Sequence, residues 1–130
     1  MSDATKTAEA YYAAWGAGDF DGLRRLLTDD FTARGPQGDF AEPDAFVASC
    51  RAMGARLGDT RLEMVDRAVI DGGDGRVVHT YAFRRGDKDA PVAECFTVRE
   101  DKIAALRIYQ DPARFMAVWR VRSPTVPRTP

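Results

Sequence analysis

Apolar residues recur at helical spacing through the first half of the chain and at alternate positions through the second. Ala8, Tyr11, Tyr12 and Trp15 fall on one stripe between Thr7 and Trp15, and Gly16 and Gly18 stop the pattern. Asp19 is placed to cap a second short helix carrying Phe20, Leu23, Leu26 and Leu27. After Asp29-Asp30, Phe31 to Gly35 is expected to be extended, and Pro36 to Asp39 a loop. Pro43 suits the first turn of a third helix, with Phe46, Val47, Cys50, Met53 and Leu57 facing inward and Gly58 closing it. From Arg61 the period becomes two. Strands are expected over 61–70, 76–85, 91–99 and 102–110, separated by turns at Asp71–Gly75, Gly86–Ala90 and Glu100-Asp101. Asp111-Pro112 reads as a cap and first-turn proline for a last helix with Phe115, Met116 and Trp119. Residues 123–130 carry three prolines and no apolar period, the mark of a disordered tail. The pattern predicts one domain over 1–122, with helices first and an antiparallel meander after them. That is an α+β fold, its helices on one face of a curved sheet and a pocket between the layers.

Composition narrows the function. With 130 residues, 45% of them hydrophobic, the chain can build its own core. Its 19 Lys+Arg against 20 Asp+Glu give a net charge of −1, which argues against nucleic-acid binding. No apolar run approaches the ~20 residues of a membrane span, and Met1 to Lys6 lacks the basic and apolar stretches of a secretory leader. A cytoplasmic protein is expected. Cys50 and Cys95 are too few for a disulfide framework, and the single His79 excludes a multi-histidine metal site. No metal or organic cofactor is implied.

Strand alternation sorts the candidate chemistry. Val77, His79, Tyr81 and Phe83 share one face, as do Val92, Glu94, Phe96 and Val98, and then Leu106, Ile108 and Gln110. A hairpin centred near Lys88 sets Tyr81 opposite Glu94 and His79 opposite Phe96, gathering Tyr81, His79 and Glu94 into one polar cluster on an otherwise apolar face.

Two stretches carry a resemblance. The run Tyr11-Tyr12-Ala13-Ala14-Trp15-Gly16-Ala17-Gly18-Asp19-Phe20-Asp21-Gly22-Leu23, followed by Leu26-Leu27-Thr28-Asp29-Asp30-Phe31, resembles the opening of nuclear transport factor 2-like proteins. The likeness is to their SnoaL-like and ketosteroid-isomerase-like branch. Asp101-Lys102-Ile103, with Leu106 to Phe115, resembles the last strand of that family. Together they span most of residues 5–119. The resemblance implies a cystatin-like cone, a curved antiparallel sheet packed on N-terminal helices around an apolar cavity, paired as a homodimer through the sheet. It leaves the activity open, because the superfamily hosts isomerases, polyketide-cyclase-like enzymes, epoxide hydrolases, dehydratases and non-enzymes. The isomerase's oxyanion tyrosine falls at Tyr11 and its second oxyanion acid at Glu94, but its proton-shuttling aspartate falls at Gly35, before Pro36. The Asp-Arg-Asp device of the epoxide hydrolases falls at His79, Tyr81 and Ile108 and is absent. The Arg- and Ala-rich composition fits a bacterium of high genomic GC, where this branch accompanies polyketide-type metabolism.

Two functional readings follow. In the first the protein is an enzyme of isomerase or lyase type that moves a proton on a small, apolar, carbonyl-containing molecule. His79 is its acid/base, tuned by Glu94, while Tyr11 and Tyr81 stabilise an enolate oxygen. Trp15, Arg34, Phe83, Val92, Phe96, Leu106, Ile108 and Gln110 then line the pocket. In the second the fold is a non-catalytic ligand-binding or association module, a reading favoured by Gly35 and by the missing Asp-Arg-Asp device. The plainer roles are a half-buried His79 bonded to tyrosine or backbone, a Glu94 paired with Arg34 at the mouth, and Tyr11 and Trp15 as core.

Overall fold

The structure, a computed structural model, describes residues 2–57 and 62–119, with only the backbone of Leu57. The expected tail, Gly58 and Arg61 lie outside those residues. The first helix, α1 (Asp3–Ala17), starts earlier than the apolar stripe requires, because the Ser2 hydroxyl accepts from Thr5 N at 3.1 Å. Gly18, at φ 67°, closes it in the left-handed conformation. Asp19 caps α2 (Phe20–Arg25) through a 2.9 Å bond from Gly22 N. Leu26 and Leu27, expected on this helix, leave it: Leu26 is its C-cap and Leu27 opens β1 (Leu27–Gly35). Gly38–Phe40 folds back as β2, so the expected loop is a short hairpin. The helix α3 (Pro43–Leu57) follows, then β3 (Glu63–Gly73), β4 (Arg76–Arg85), β5 (Lys88–Arg99), β6 (Lys102–Gln110) and α4 (Pro112–Trp119). Asp111 caps α4 by accepting from Ala113 N at 2.9 Å.

The strands form one sheet in the order β2-β1-β6-β5-β4-β3. The last four are the antiparallel meander that alternation predicts, but β1 runs parallel to β6, so the sheet is mixed rather than wholly antiparallel. Alternation identifies a strand and says nothing of its neighbour's direction. Here the pairing starts where Ile103 N donates to Leu26 O at 2.7 Å, immediately after α2.

Tight turns set the register. Arg85 pairs with Lys88 across a two-residue turn, Gly86-Asp87, with Gly86 at φ 63°. That turn is shorter than the expected loop, so the register moves by two residues. His79 faces Glu94, and Tyr81 faces Val92. A shift of two keeps every side chain on its face. Pro91 is tolerated because pairing with β6 begins only at Val92, which leaves the proline's side of β5 without a partner strand.

The core packs α1, α2 and α3 onto the inner sheet face around Leu23, Leu27, Phe31, Phe96, Ile103 and Leu106. A second cluster joins Tyr81 and Val92 to Phe115 and Trp119 of α4. No helix among the described residues is long and apolar enough to cross a membrane.

The β3–β4 turn yields a test. Gly73 and Gly75 both have positive φ, but a Cβ at Gly75 would stand 2.3 Å from the Val98 carbonyl oxygen, whereas none lies near Gly73. Gly73→Ala should cost about 1 kcal/mol for the left-handed backbone, and Gly75→Ala clearly more, read from urea midpoints. Equal costs would show that the contact with β5 carries no weight.

Candidate active site

Between the sheet and the helices lies a cavity of about 560 Å³. Trp15 of α1, Phe20 of α2, Met53 of α3 and Phe115 and Trp119 of α4 contribute to its apolar wall. The sheet adds Tyr81, Phe83, Val92 and Ile108, with Gln110, Arg34 and Gln37 among the polar lining residues. Trp15 and Phe83 therefore leave the cavity open.

One carboxyl stands in this apolar wall. Alternation on β5 turns Glu94 inward between Val92 and Phe96, where it is 4% exposed. Its Oε1 accepts from the Tyr12 hydroxyl of α1 at 3.0 Å and also from the Tyr81 hydroxyl of β4. Its Oε2 takes neither bond. Burial pushes the Glu94 carboxyl above the ordinary carboxylate range, and the two tyrosine bonds work in the opposite direction. Burial and the Glu94 charge raise Tyr12 and Tyr81 in turn, so both remain hydroxyl donors. Cys50 also lines the cavity. Burial and Glu94 hold its thiol at about 12, which removes it as a thiolate nucleophile at neutral pH.

Tyr11 is placed differently from Tyr12. Its hydroxyl accepts from the Trp15 indole N–H at 3.3 Å, while its own proton has no acceptor among the described residues. Raised by burial first and by Glu94 second, Tyr11 stays protonated and presents a free donor on the cavity lining. Among the described residues the cavity thus combines a carboxyl oxygen outside both tyrosine bonds and a hydroxyl proton without an acceptor, the pair needed to move a proton beside a carbonyl.

Of the residues expected from sequence, Tyr11, Trp15, Arg34, Tyr81, Phe83, Val92, Glu94, Ile108 and Gln110 line the cavity. Phe96 and Leu106 share their face but are 1% exposed and sit in the core instead. His79 is completely buried and lies outside the cavity lining. Its ring packs 4.7 Å from that of Tyr12, and its charged neighbour is Glu9 on α1, with Nε2 3.5 Å from Oε1. Desolvation lowers its proton affinity and Glu9 opposes that, with the net direction downward. No ion pair joins Arg34 to Glu94 among the described residues. Gly35, where the resemblance would put the isomerase's base, also lines the cavity, and a Cβ there would stand 3.1 Å from that of Ile108, so β6 crowds the position. Sequence reasoning missed Tyr12 as a site residue. Its signal was present, one position along the same helical stripe as Tyr11.

The SnoaL-like domain family model matches residues 8–106. The chain belongs to the SnoaL-like family. Solved structures agree on the fold of this SnoaL-like domain. Bal32a, from a soil-derived mobile gene cassette, superposes with a TM-score of 0.76 at 24% identity, covering 91% of this chain and 97% of its own. An NTF2-like protein of Burkholderia pseudomallei K96243 gives 0.75 at 15% identity, covering 93% and 100%. A provisionally assigned polyketide cyclase of Xanthomonas campestris pv. campestris gives 0.71 at 23% identity, covering 91% and 97%. A search of the curated proteins finds no match.

The buried carboxyl predicts how the SnoaL-like domain responds to pH. Because folding raises the proton affinity of Glu94, the stability that its protonation contributes is present below the ordinary carboxylate range. It is lost as pH rises through the folded value. Glu94→Gln, neutral at every pH, escapes this loss. Melting curves taken from below the ordinary carboxylate range up to about pH 8 should show the wild type losing ground to the variant once pH passes that range. A constant gap would place the Glu94 proton affinity at its ordinary value.

Proposed function

We propose that this SnoaL-like domain is a small-molecule enzyme that transfers a proton on an apolar, carbonyl-containing substrate, by isomerisation, dehydration or aldol-type ring closure. The observation that carries the reading is Glu94, a buried carboxyl in an apolar cavity with one oxygen tied to Tyr12 and Tyr81 and the other free. Leaving such a group buried is costly unless it has work to do. Ionised Glu94 takes the proton from the carbon beside the carbonyl through Oε2, and the Tyr11 hydroxyl donates to the oxygen on which negative charge grows. Tyr12 and Tyr81 stabilise the carboxylate while it waits. Burial then favours return of the proton, to the same carbon, to a conjugated carbon or to a departing hydroxyl. The role first expected of His79 passes to Glu94, since His79 does not line the cavity.

The neighbour from Xanthomonas campestris supports ring closure among these outcomes, as a provisionally assigned polyketide cyclase. The outer sheet face, where Ile70 and Tyr109 are 57% and 53% exposed, is the surface we assign to a homodimer.

The test is deuterium exchange in D2O at the carbon beside the carbonyl, across a panel of apolar ketones and 1,3-diketones, followed by NMR. The wild type should accelerate exchange. Glu94→Gln should lower the rate by roughly a hundredfold to ten-thousandfold, and Tyr11→Phe by roughly a hundredfold. Exchange that survives Glu94→Gln would remove Glu94 from the chemistry. Ligand affinity without exchange, unchanged by Glu94→Gln, would make the domain a binding module.

A further inference from the structure

Around the Tyr12 ring, outside the cavity lining, three charged or titratable side chains meet. Arg67 Nη2 donates to both oxygens of Glu9, each at 3.1 Å, and its guanidinium carbon lies 5.4 Å from the centre of the Tyr12 ring. Glu9 is three residues before Tyr12 on α1, hence on the same side of that helix. His79 of β4 packs its ring 4.7 Å from that of Tyr12. Neither His79 nitrogen has a hydrogen-bond partner among the described residues, although Nε2 is 3.5 Å from Glu9. Phe96 closes the side towards β5, with its ring 5.9 Å from that of His79. None of Arg67, Glu9 and His79 lines the cavity.

The backbone shows what this arrangement costs. Between Val65↔Ala82 and Ala68↔Thr80 the β3–β4 ladder slips, so that Asp66 and Arg67 together oppose Tyr81. Asp66 sits at φ 55°, in the left-handed region that non-glycine residues rarely adopt. A bulge of this kind re-aims a side chain, and bulges gather beside active sites. Here it lies beside the residue that brings a cation to the Tyr12 ring. A buried histidine with both nitrogens unpaired is a second cost in the same place.

We infer that Arg67, Glu9 and His79 form a clamp on Tyr12 that governs how firmly its hydroxyl holds Glu94. Arg67 and His79 fix the ring, and Glu9 fixes Arg67. The cation beside the ring makes the Tyr12 hydroxyl a better donor to the carboxylate, and the protein thereby favours ionised Glu94. Glu94 itself is faced by Tyr11 and Tyr12 from α1, by Tyr81 and, directly across the ladder, His79 from β4, and by Cys50 from α3; Arg67 and Glu9 reach it only through Tyr12. Arg67, Glu9 and His79 are positioning residues. The inference rests on Glu94 as the working carboxyl, but its test does not depend on turnover.

The experiment is a 13C NMR titration of the side-chain carboxyl carbons in protein labelled at glutamate, with the Glu94 signal assigned by its loss in Glu94→Gln. Arg67→Gln should raise the Glu94 midpoint by about one unit, a tenfold change in proton affinity, and Arg67→Lys should restore part of it. Glu9→Gln, which releases Arg67 but leaves it in place, should move the midpoint the same way by less, and it serves as the second variant if Arg67→Gln does not fold. A midpoint unmoved in the folded variants, whatever happens to their melting temperatures, would reduce the cluster to a structural ion pair and overturn the inference. A midpoint that moves while the wild type shows no exchange on any ketone would sustain the clamp and sink the enzymatic reading instead.

Discussion

A carboxyl group in an apolar cavity is the constraint around which this domain is arranged. Transfer of an ionised carboxylate out of water costs several kcal/mol even after relaxation, and among the described residues no cation pairs directly with Glu94. Two tyrosine hydroxyls on one oxygen lower the cost without removing it. The result is a group whose proton is held more firmly than usual and whose second oxygen is free. Both properties suit proton transfer at a carbon, where the base must accept a proton and then give it back.

The fold supplies the donors from separate elements. Tyr12 comes from α1 and Tyr81 from β4, and Glu94 from the strand beside β4. Their convergence depends on the inner sheet face meeting the first helix. The short Gly86-Asp87 turn places His79, not Tyr81, opposite Glu94. Tyr81 then reaches Glu94 on the diagonal, a distance that a long aromatic side chain spans. His79, directly opposite, packs against Tyr12 and Glu9 on the α1 side.

Much of this was legible in the sequence, for identifiable reasons. Periodicity marked the helices and the meander because one face of each element is buried. Strand parity put Tyr81 and Glu94 on the same inner face, and a two-residue slip in register could not undo that. The parallel pairing of β1 with β6 left no trace, because alternation carries no direction. The environment of His79 was hidden for another reason. It depends on Glu9, 70 positions away, and on a bulge at Asp66-Arg67 that does not interrupt the hydrophobic pattern. Tyr12 was overshadowed by Tyr11, where the resemblance to the isomerase branch places an oxyanion tyrosine. The two neighbours divide the work, one holding the carboxyl and one presenting its proton to the cavity.

The most direct measurement of the central claim is a crystal structure of the protein with a substituted phenol, whose oxygen mimics that of an enolate. The account predicts the phenol ring in the cavity and its oxygen within hydrogen-bonding distance of Glu94 Oε2 and the Tyr11 hydroxyl. Tyr12 and Tyr81 should still hold Oε1. A phenol seated with its oxygen towards Arg34, or a Glu94 carboxyl that has left both tyrosines, would contradict it.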